Sequence, residues 1–297
     1  MVWIEAALNG PWTRQRQPGI PVTVDEVVRD GIACAEAGAA IIHVHAYDPA
    51  SGVQNDDADI YAAIIEGIRA QVDVIVYPTV PFVGGAAAFA DGSQTQRYSA
   101  IETLAARGLL EWAVVDPGSI NLATFADGPA RQAGSTYLNP GAHIQQGLAV
   151  AARCDLVPSY AIYEPGFLRL GAALAAGHAC PPPLYRLMFS DTFTFGLDPD
   201  VEAIDLYLRM LERHAPGHIW MVAGLGLDVR PLIPHAIARG GHVRVGLEDA
   251  PFGTPLSNRA WVEEAVRLVR ASGAEPATAR QVRADLARQR DSLREPP

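Results

Sequence analysis

Eight short apolar runs of strand length, each followed by a run of helical periodicity, divide this chain from end to end. The strand-like runs are Val2–Leu8, Ala40–Ala46, Val72–Val80, Trp112–Asp116, Leu156–Tyr163, Leu184–Phe189, His218–Ala223 and Val243–Leu247. The helix-like runs are Thr23 to about Gly38, Asp59 to about Ala70, Ser99–Ala106, His143–Arg153, Phe167–Ala176, Asp200–His214, Val229–Ala238 and Asn258–Arg270. Their limits have chemical causes. Thr23-Val24-Asp25-Glu26 carries a capping-box pattern, and Gly108, Pro117-Gly118 and Gly240-Gly241 stop elements. Eight units of this length are what a closed (β/α)8 barrel, the TIM barrel, demands. An open doubly wound sheet is the alternative. The expectation is one α/β barrel domain over residues 1–297, with a polar, Arg-rich helical extension from about residue 272. Gly84-Gly85-Ala86–Ala88 and Pro181-Pro182-Pro183 read as loops or hinges.

The barrel reading has a specific support. His45, Thr79, Asp116, Glu164, Ser190-Asp191, Gly224–Gly226 and Glu248-Asp249 all fall at the C-terminal ends of the strand-like runs, where barrel enzymes gather their chemistry. Composition then excludes several functions. The net charge of -10 offers no basic stripe for a nucleic acid. No apolar stretch is long enough to span a bilayer, and Met1-Val2-Trp3-Ile4-Glu5 lacks the basic start of a signal peptide, so a membrane partner is not expected. Cys34, Cys154 and Cys180 are odd in number, far apart and without a CxxC spacing, which points to a reduced, cytoplasmic chain. The chain has no lysine: all 23 basic residues are arginine. Neither a lysine Schiff base, a pyridoxal phosphate anchor nor a Walker A lysine is therefore available. Any activation of a carbonyl falls to a metal or to hydrogen-bond donors.

A metal is what the second run suggests. In Ile41-Ile42-His43-Val44-His45 the two histidines are two apart on a strand and so share a face. Two imidazoles aimed at one point near a strand end suit a zinc site, although two core histidines bonded to backbone carbonyls have the same spacing. A third ligand is needed, and the eighth run ends in two carboxylates, Glu248 and Asp249. Arg244, Gly246 and Glu248 have the same parity along about 13 Å of strand. Arg244 then either pairs with a barrel carboxylate such as Glu248 or grips a substrate carboxylate bidentately. Asp249 points to the other side or into the loop, as a base or a loop cap. Glu164 at the end of the fifth run suits a ligand, a proton shuttle or a loop anchor. Ser119 and Asn121 suit hydrogen bonding to a substrate oxygen, or an ordinary turn. Gly224-Leu225-Gly226 lacks the full dinucleotide fingerprint.

Over roughly Ile4 to Ala284 the sequence resembles the β-keto acid cleavage enzyme family, whose founding activity acts on 3-keto-5-aminohexanoate. The resemblance is carried by Ala7-Leu8-Asn9-Gly10, by Glu36-Ala37-Gly38-Ala39 running into His43-Val44-His45, by Tyr163-Glu164 with Gly166, by Val222-Ala223-Gly224-Leu225-Gly226, and most specifically by Gly240 to Asp249. It implies a (β/α)8 barrel, a homotetramer, and zinc or another divalent metal on His43, His45 and Glu248. It implies a reaction in which a β-keto acid and acetyl-CoA give acetoacetate and a new acyl-CoA. It also implies Arg244 as partner of the substrate carboxylate, Asp249 as general base and Glu164 as a helper. A metal-dependent aldolase or hydrolase of a small keto acid would use the same ligands without CoA.

The chain departs from the family pattern around the substrate. The founding enzyme carries an acid after its first loop glycine to read the substrate amine, whereas this chain reads Asn9-Gly10-Pro11-Trp12-Thr13. A substrate that is not cationic is therefore expected, with Trp12 on its wall. Tyr77-Pro78-Thr79-Val80-Pro81 replaces a Ser/Thr-Gly-Gly stretch and puts Thr79 on a rebuilt wall. Asp116-Pro117 stands where Asn-Ala is usual, and Phe189–Asp198 is unlike the family.

Overall fold

The computed structural model describes residues 1–82 and 96–293; Gly84–Ala88 and Arg294 lie outside them. The eight expected strands form at β1 Ile4–Ala7, β2 Ile41–Val44, β3 Ile75–Pro78, β4 Trp112–Val114, β5 Val157–Ile162, β6 Leu184–Phe189, β7 Trp220–Gly224 and β8 His242–Val245. Helices alternate with them: α1 Val24–Ala37, α2 Ala58–Arg69, α3 Ser99–Ala106, α4 Gly141–Cys154, α5 Pro165–Ala175, α6 Val201–His214, α7 Ile233–Ala238 and α8 Asn258–Ala271. A final helix, α9, spans Ala279–Ser292. Every strand pair is parallel, in the order β3-β2-β1-β8-β7-β6-β5-β4. The two end strands, β3 and β4, are consecutive in the chain and approach within 8 Å between Cα atoms. The sheet is thus a nearly closed barrel, and the open-sheet alternative is set aside. Where β3 and β4 form no ladder, the Tyr77 and Trp112 rings fill the seam with centroids 5.5 Å apart.

Local chemistry sets the element limits. Thr23 Oγ1 accepts from the Glu26 amide at 3.3 Å while the Glu26 carboxylate takes the Thr23 amide at 3.0 Å, so the capping box starts α1 as the sequence predicts. The strands are shorter than the apolar runs. β8 stops at Val245 because Gly246 takes φ +132°, where a Cβ would lie 2.2 Å from the Ala7 carbonyl oxygen. Val229–Ala238 divides into a 3₁₀ turn, Arg230–Leu232, and α7. Two loop hairpins rise above the C-terminal ends of the strands, Tyr47–Asp48 with Val53–Gln54 and Ile120–Leu122 with Ser135–Tyr137.

At the opposite end α9 covers the barrel floor. The Trp3 indole N–H donates to Asp285 at 2.9 Å, and Arg283 bridges Glu111 and Asp73. Trp3 also stacks on His242, with centroids 4.4 Å apart, and its amide donates to His242 Nδ1 at 3.2 Å. Among the described residues no helix is long and apolar enough to cross a membrane.

Burial and the nearby N-terminal ammonium lower the His242 pKa to about 3. In the unfolded chain it returns to about 6.5. Between these values the unfolded state binds a proton that the folded state refuses, so stability falls as pH falls through this window. His242→Gln keeps an acceptor for the Trp3 amide but cannot titrate. It is expected to remove up to about 1.4 kcal/mol of stability loss per pH unit in that window. Thermal melts from pH 7 to 4 check this, and equal pH slopes in both proteins would refute it.

Candidate metal centre

The strand parity of His43 and His45 survives although β2 ends between them. Asn9, just beyond β1, extends the pairing: its Oδ1 accepts the His45 amide at 2.9 Å and its Nδ2 donates to the His45 carbonyl at 2.9 Å. Both rings therefore stay on the inner face. Glu248 arrives by a different route from the one strand parity suggests. After Gly246 the chain turns, with the Asp249 and Ala250 amides donating to the Gly246 carbonyl at 3.1 and 2.9 Å. Glu248 and Asp249 consequently both fold back over β8, and Asp249 does not point away into the loop.

Glu248 Oε2 lies 3.6 Å from His43 Nε2 and 3.5 Å from His45 Nε2. These distances are long for hydrogen bonds, and Glu248 Oε2 and His45 Nε2 have no hydrogen-bond partner. They fit ligands of one tetrahedral ion, whose bonds of about 2.0–2.1 Å put donor atoms about 3.4 Å apart. The tautomer fits as well. Asp56 accepts from Gln54 Nε2 at 2.8 Å, which turns Gln54 Oε1 toward His45 Nδ1, also at 2.8 Å. His45 Nδ1 is then the protonated nitrogen and Nε2 presents its lone pair. Burial, foremost, keeps the His43 imidazole well below its ordinary pKa and hence neutral. Burial raises the Glu248 carboxyl, but Arg244 and the two histidines outweigh it and hold the group well below the usual carboxylate range. Among the described residues four buried carboxylates, Glu5, Asp116, Glu248 and Asp249, face three buried guanidiniums, Arg97, Arg186 and Arg244. Arg97 reaches this network through the Tyr137 hydroxyl, to which it donates at 3.2 Å and which donates to Asp116 at 2.8 Å.

Arg244 is almost completely enclosed and fully engaged. Its Nε and Nη2 donate to the two oxygens of Asp249 at 2.8 and 3.0 Å, and its Nη1 donates to Glu5 Oε1 at 2.9 Å. Its Nη2 also meets Glu248 Oε1 at 2.8 Å. Of the two readings for this arginine, pairing with barrel carboxylates is the one observed. Burial pushes the Asp249 carboxyl up to about 6 against the pull of Arg244. Glu5 Oε1 accepts a further bond from the Tyr77 hydroxyl at 2.6 Å.

The cavity above this centre brings some expected residues together and leaves others out. Trp12 and Thr79 line it with His43, His45 and Glu248. The Trp12 indole N–H donates to the Glu248 carbonyl at 2.7 Å, and the Tyr47 hydroxyl holds the carbonyls of Gly10 and Trp12. Ser119 and Asn121 face outward at the hairpin, where Ser119 Oγ accepts the Asn139 amide at 2.7 Å and Asn121 Oδ1 accepts from Thr136 at 3.2 Å. Glu164 precedes α5 and accepts the Gly196 amide at 3.1 Å, outside the cavity lining. Sequence reasoning passed over Arg186, Tyr137 and Gln54, all of which line the cavity. A charged residue inside the apolar run Leu184–Phe189 was the available signal for the first.

Comparison with known proteins identifies the family of the chain. The family model described as beta-keto acid cleavage enzyme matches residues 1–287. A 3-keto-5-aminohexanoate cleavage enzyme from Fusobacterium nucleatum is 28% identical over 94% of this chain and 95% of its own. A 3-oxoadipate:acetyl-CoA acetyltransferase from Cupriavidus necator is 27% identical over 95% of this chain and 93% of its own. Among solved structures, the binary complex of ObcA with oxaloacetate superposes with a TM-score of 0.73 at 17% identity, covering 91% of this chain and 67% of that one, which shows the fold alone.

Two variants test the assembly. Gln54→Leu releases the His45 tautomer and is expected to weaken zinc affinity about 10–100-fold in chelator competition; unchanged affinity would detach Gln54 from the centre. Arg244→Met leaves three buried carboxylates without their cation. It is expected to cost about 3–5 kcal/mol in denaturant unfolding, and a loss under 1 kcal/mol would contradict the pairing.

Proposed function

The chain belongs to the beta-keto acid cleavage enzyme family, and from that premise we propose that it is a divalent-metal enzyme converting a β-keto acid and acetyl-CoA into acetoacetate and a new acyl-CoA. The observation that carries this reading is the convergence of His43, His45 and Glu248 at the mutual spacing of metal ligands. Zinc suits two imidazoles and one carboxylate, and when bound it supplies Lewis acidity toward the β-keto oxygen. The chain's own residues do the rest. Asp249 is the general base. Its Oδ1 and the Glu248 Oε1 lie within hydrogen-bond reach of the same Arg244 nitrogen, which ties the base to a metal ligand one layer beneath the cavity lining. Arg244 acts by fixing these two carboxylates relative to each other. Thr79 offers a hydroxyl on the cavity wall, and Trp12 closes the side nearest Glu248.

The local sequence favours a substrate without a cationic group. An ammonium group needs an acidic partner, and the first loop, Asn9-Gly10-Pro11-Trp12-Thr13, carries no acid. The absence of lysine supports metal-based rather than Schiff-base activation of the ketone.

The test is an assay of zinc-loaded protein with acetyl-CoA and a panel of neutral, anionic and cationic β-keto acids. Acetoacetate and a new acyl-CoA are expected with a neutral member, lost on chelation and restored by zinc. Cleavage of a keto acid without CoA would assign the chain instead to a metal aldolase or hydrolase. No acyl-CoA from any member would overturn the proposal.

A further inference from the structure

Two arginines are buried inside the barrel, and they differ in one respect. Arg244 meets carboxylates at 2.8 to 3.0 Å from every nitrogen. Arg186, the third residue of β6, is equally enclosed but poorly partnered. Its Nε has no hydrogen-bond partner, and its Nη2 reaches only the Ser159 carbonyl at 3.4 Å and Asp116 Oδ1 at 3.7 Å. Asp116 is not waiting for it: that carboxylate already accepts the Tyr137 hydroxyl at 2.8 Å and the Ala161 amide at 2.9 Å. A guanidinium removed from water with one nitrogen unpaired calls for an anion, and its planar fork matches a carboxylate. Arg186 lines the same cavity as His43 and Glu248. It lies within a strand and hence deeper than Trp12, Val80 and Leu225, which follow the ends of β1, β3 and β7 and line the upper cavity with buried apolar surface.

We propose that Arg186 anchors the carboxylate of the β-keto acid on the cavity floor, and that the chain beyond the keto carbon runs up against Trp12, Val80 and Leu225. The acids admitted are then those with an uncharged, apolar group beyond the ketone. This rests on the β-keto acid reading above. It moves the role of carboxylate anchor from Arg244, which is already saturated, to Arg186.

The experiment measures malonate binding to zinc-loaded protein by calorimetry, since malonate places two carboxylates at the spacing of a β-keto acid and needs no turnover. Arg186→Gln is expected to weaken malonate at least about 30-fold, as removal of one partner from a buried charge pair does, with zinc content and melting midpoint retained. In the assay the same variant is expected to raise KM for the keto acid and leave KM for acetyl-CoA unchanged. If Arg186→Gln does not fold, Arg186→Lys, which keeps the charge and loses the fork, is expected to weaken malonate by a smaller factor of about 3–10. Equal malonate affinity in wild type and a folded, zinc-loaded variant would overturn the proposal and leave Arg186 as a structural counterion of Asp116. Failure of malonate to bind the wild type would overturn it as well. Arg186-dependent malonate binding without any CoA-dependent turnover would keep the anchor and dismiss the cleavage reaction.

Discussion

One guanidinium organises the active end of this barrel. Arg244 gathers Glu5 from β1 and Glu248 and Asp249 from the turn after β8. Three carboxylates this close would repel one another and resist burial without a central cation. The turn that returns Glu248 and Asp249 is permitted by Gly246, whose missing Cβ lets the chain pass against the Ala7 carbonyl. The candidate metal centre therefore depends on a glycine conformation and an ion pair as much as on its three possible ligands.

The barrel was legible because every helix must return the chain to the same end of a parallel sheet, and the sequence alternates accordingly. His43 and His45 were legible because a period of two is rigid on a strand, and Asn9 carries that period one step past the end of β2. Glu248 was found by composition and resemblance, but its path was misjudged. Parity holds only while the backbone is extended, and the backbone stops being extended at Gly246. The same limit explains Ser119 and Asn121. Both follow a strand end, but a short hairpin between them and Asn139 turns them outward, and no local pattern announced its direction. Arg186 was missed because a lone charge in an apolar run has no periodicity to mark it.

The candidate metal ligands and the proposed substrate wall differ in how far they keep to the resemblance read from the sequence. In the resemblance drawn from the sequence, His43, His45, Arg244, Glu248 and Asp249 fall within the family-like motifs, whereas Trp12, Thr79 and Asp116 fall in stretches that depart from them. On the proposed reading, a centre that polarises a ketone serves many acids without change. The groups that meet the rest of the molecule have to change with it. Trp12 and Arg186 set the polarity of the cavity without being among the three candidate ligands.

The seam between β3 and β4 divides the ring into unequal parts. His43 and the Glu248 turn flank β1 on the hydrogen-bonded arc, while Thr79 and Asp116 extend from the two strands that share no ladder. Across that seam the Tyr77 and Trp112 rings meet tilted at 45°, a side-chain contact in place of ladder bonds. The two wall positions thus flank the one junction where packed rings rather than a ladder join neighbouring strands, and His43 stands on the very next strand, opposite Tyr77.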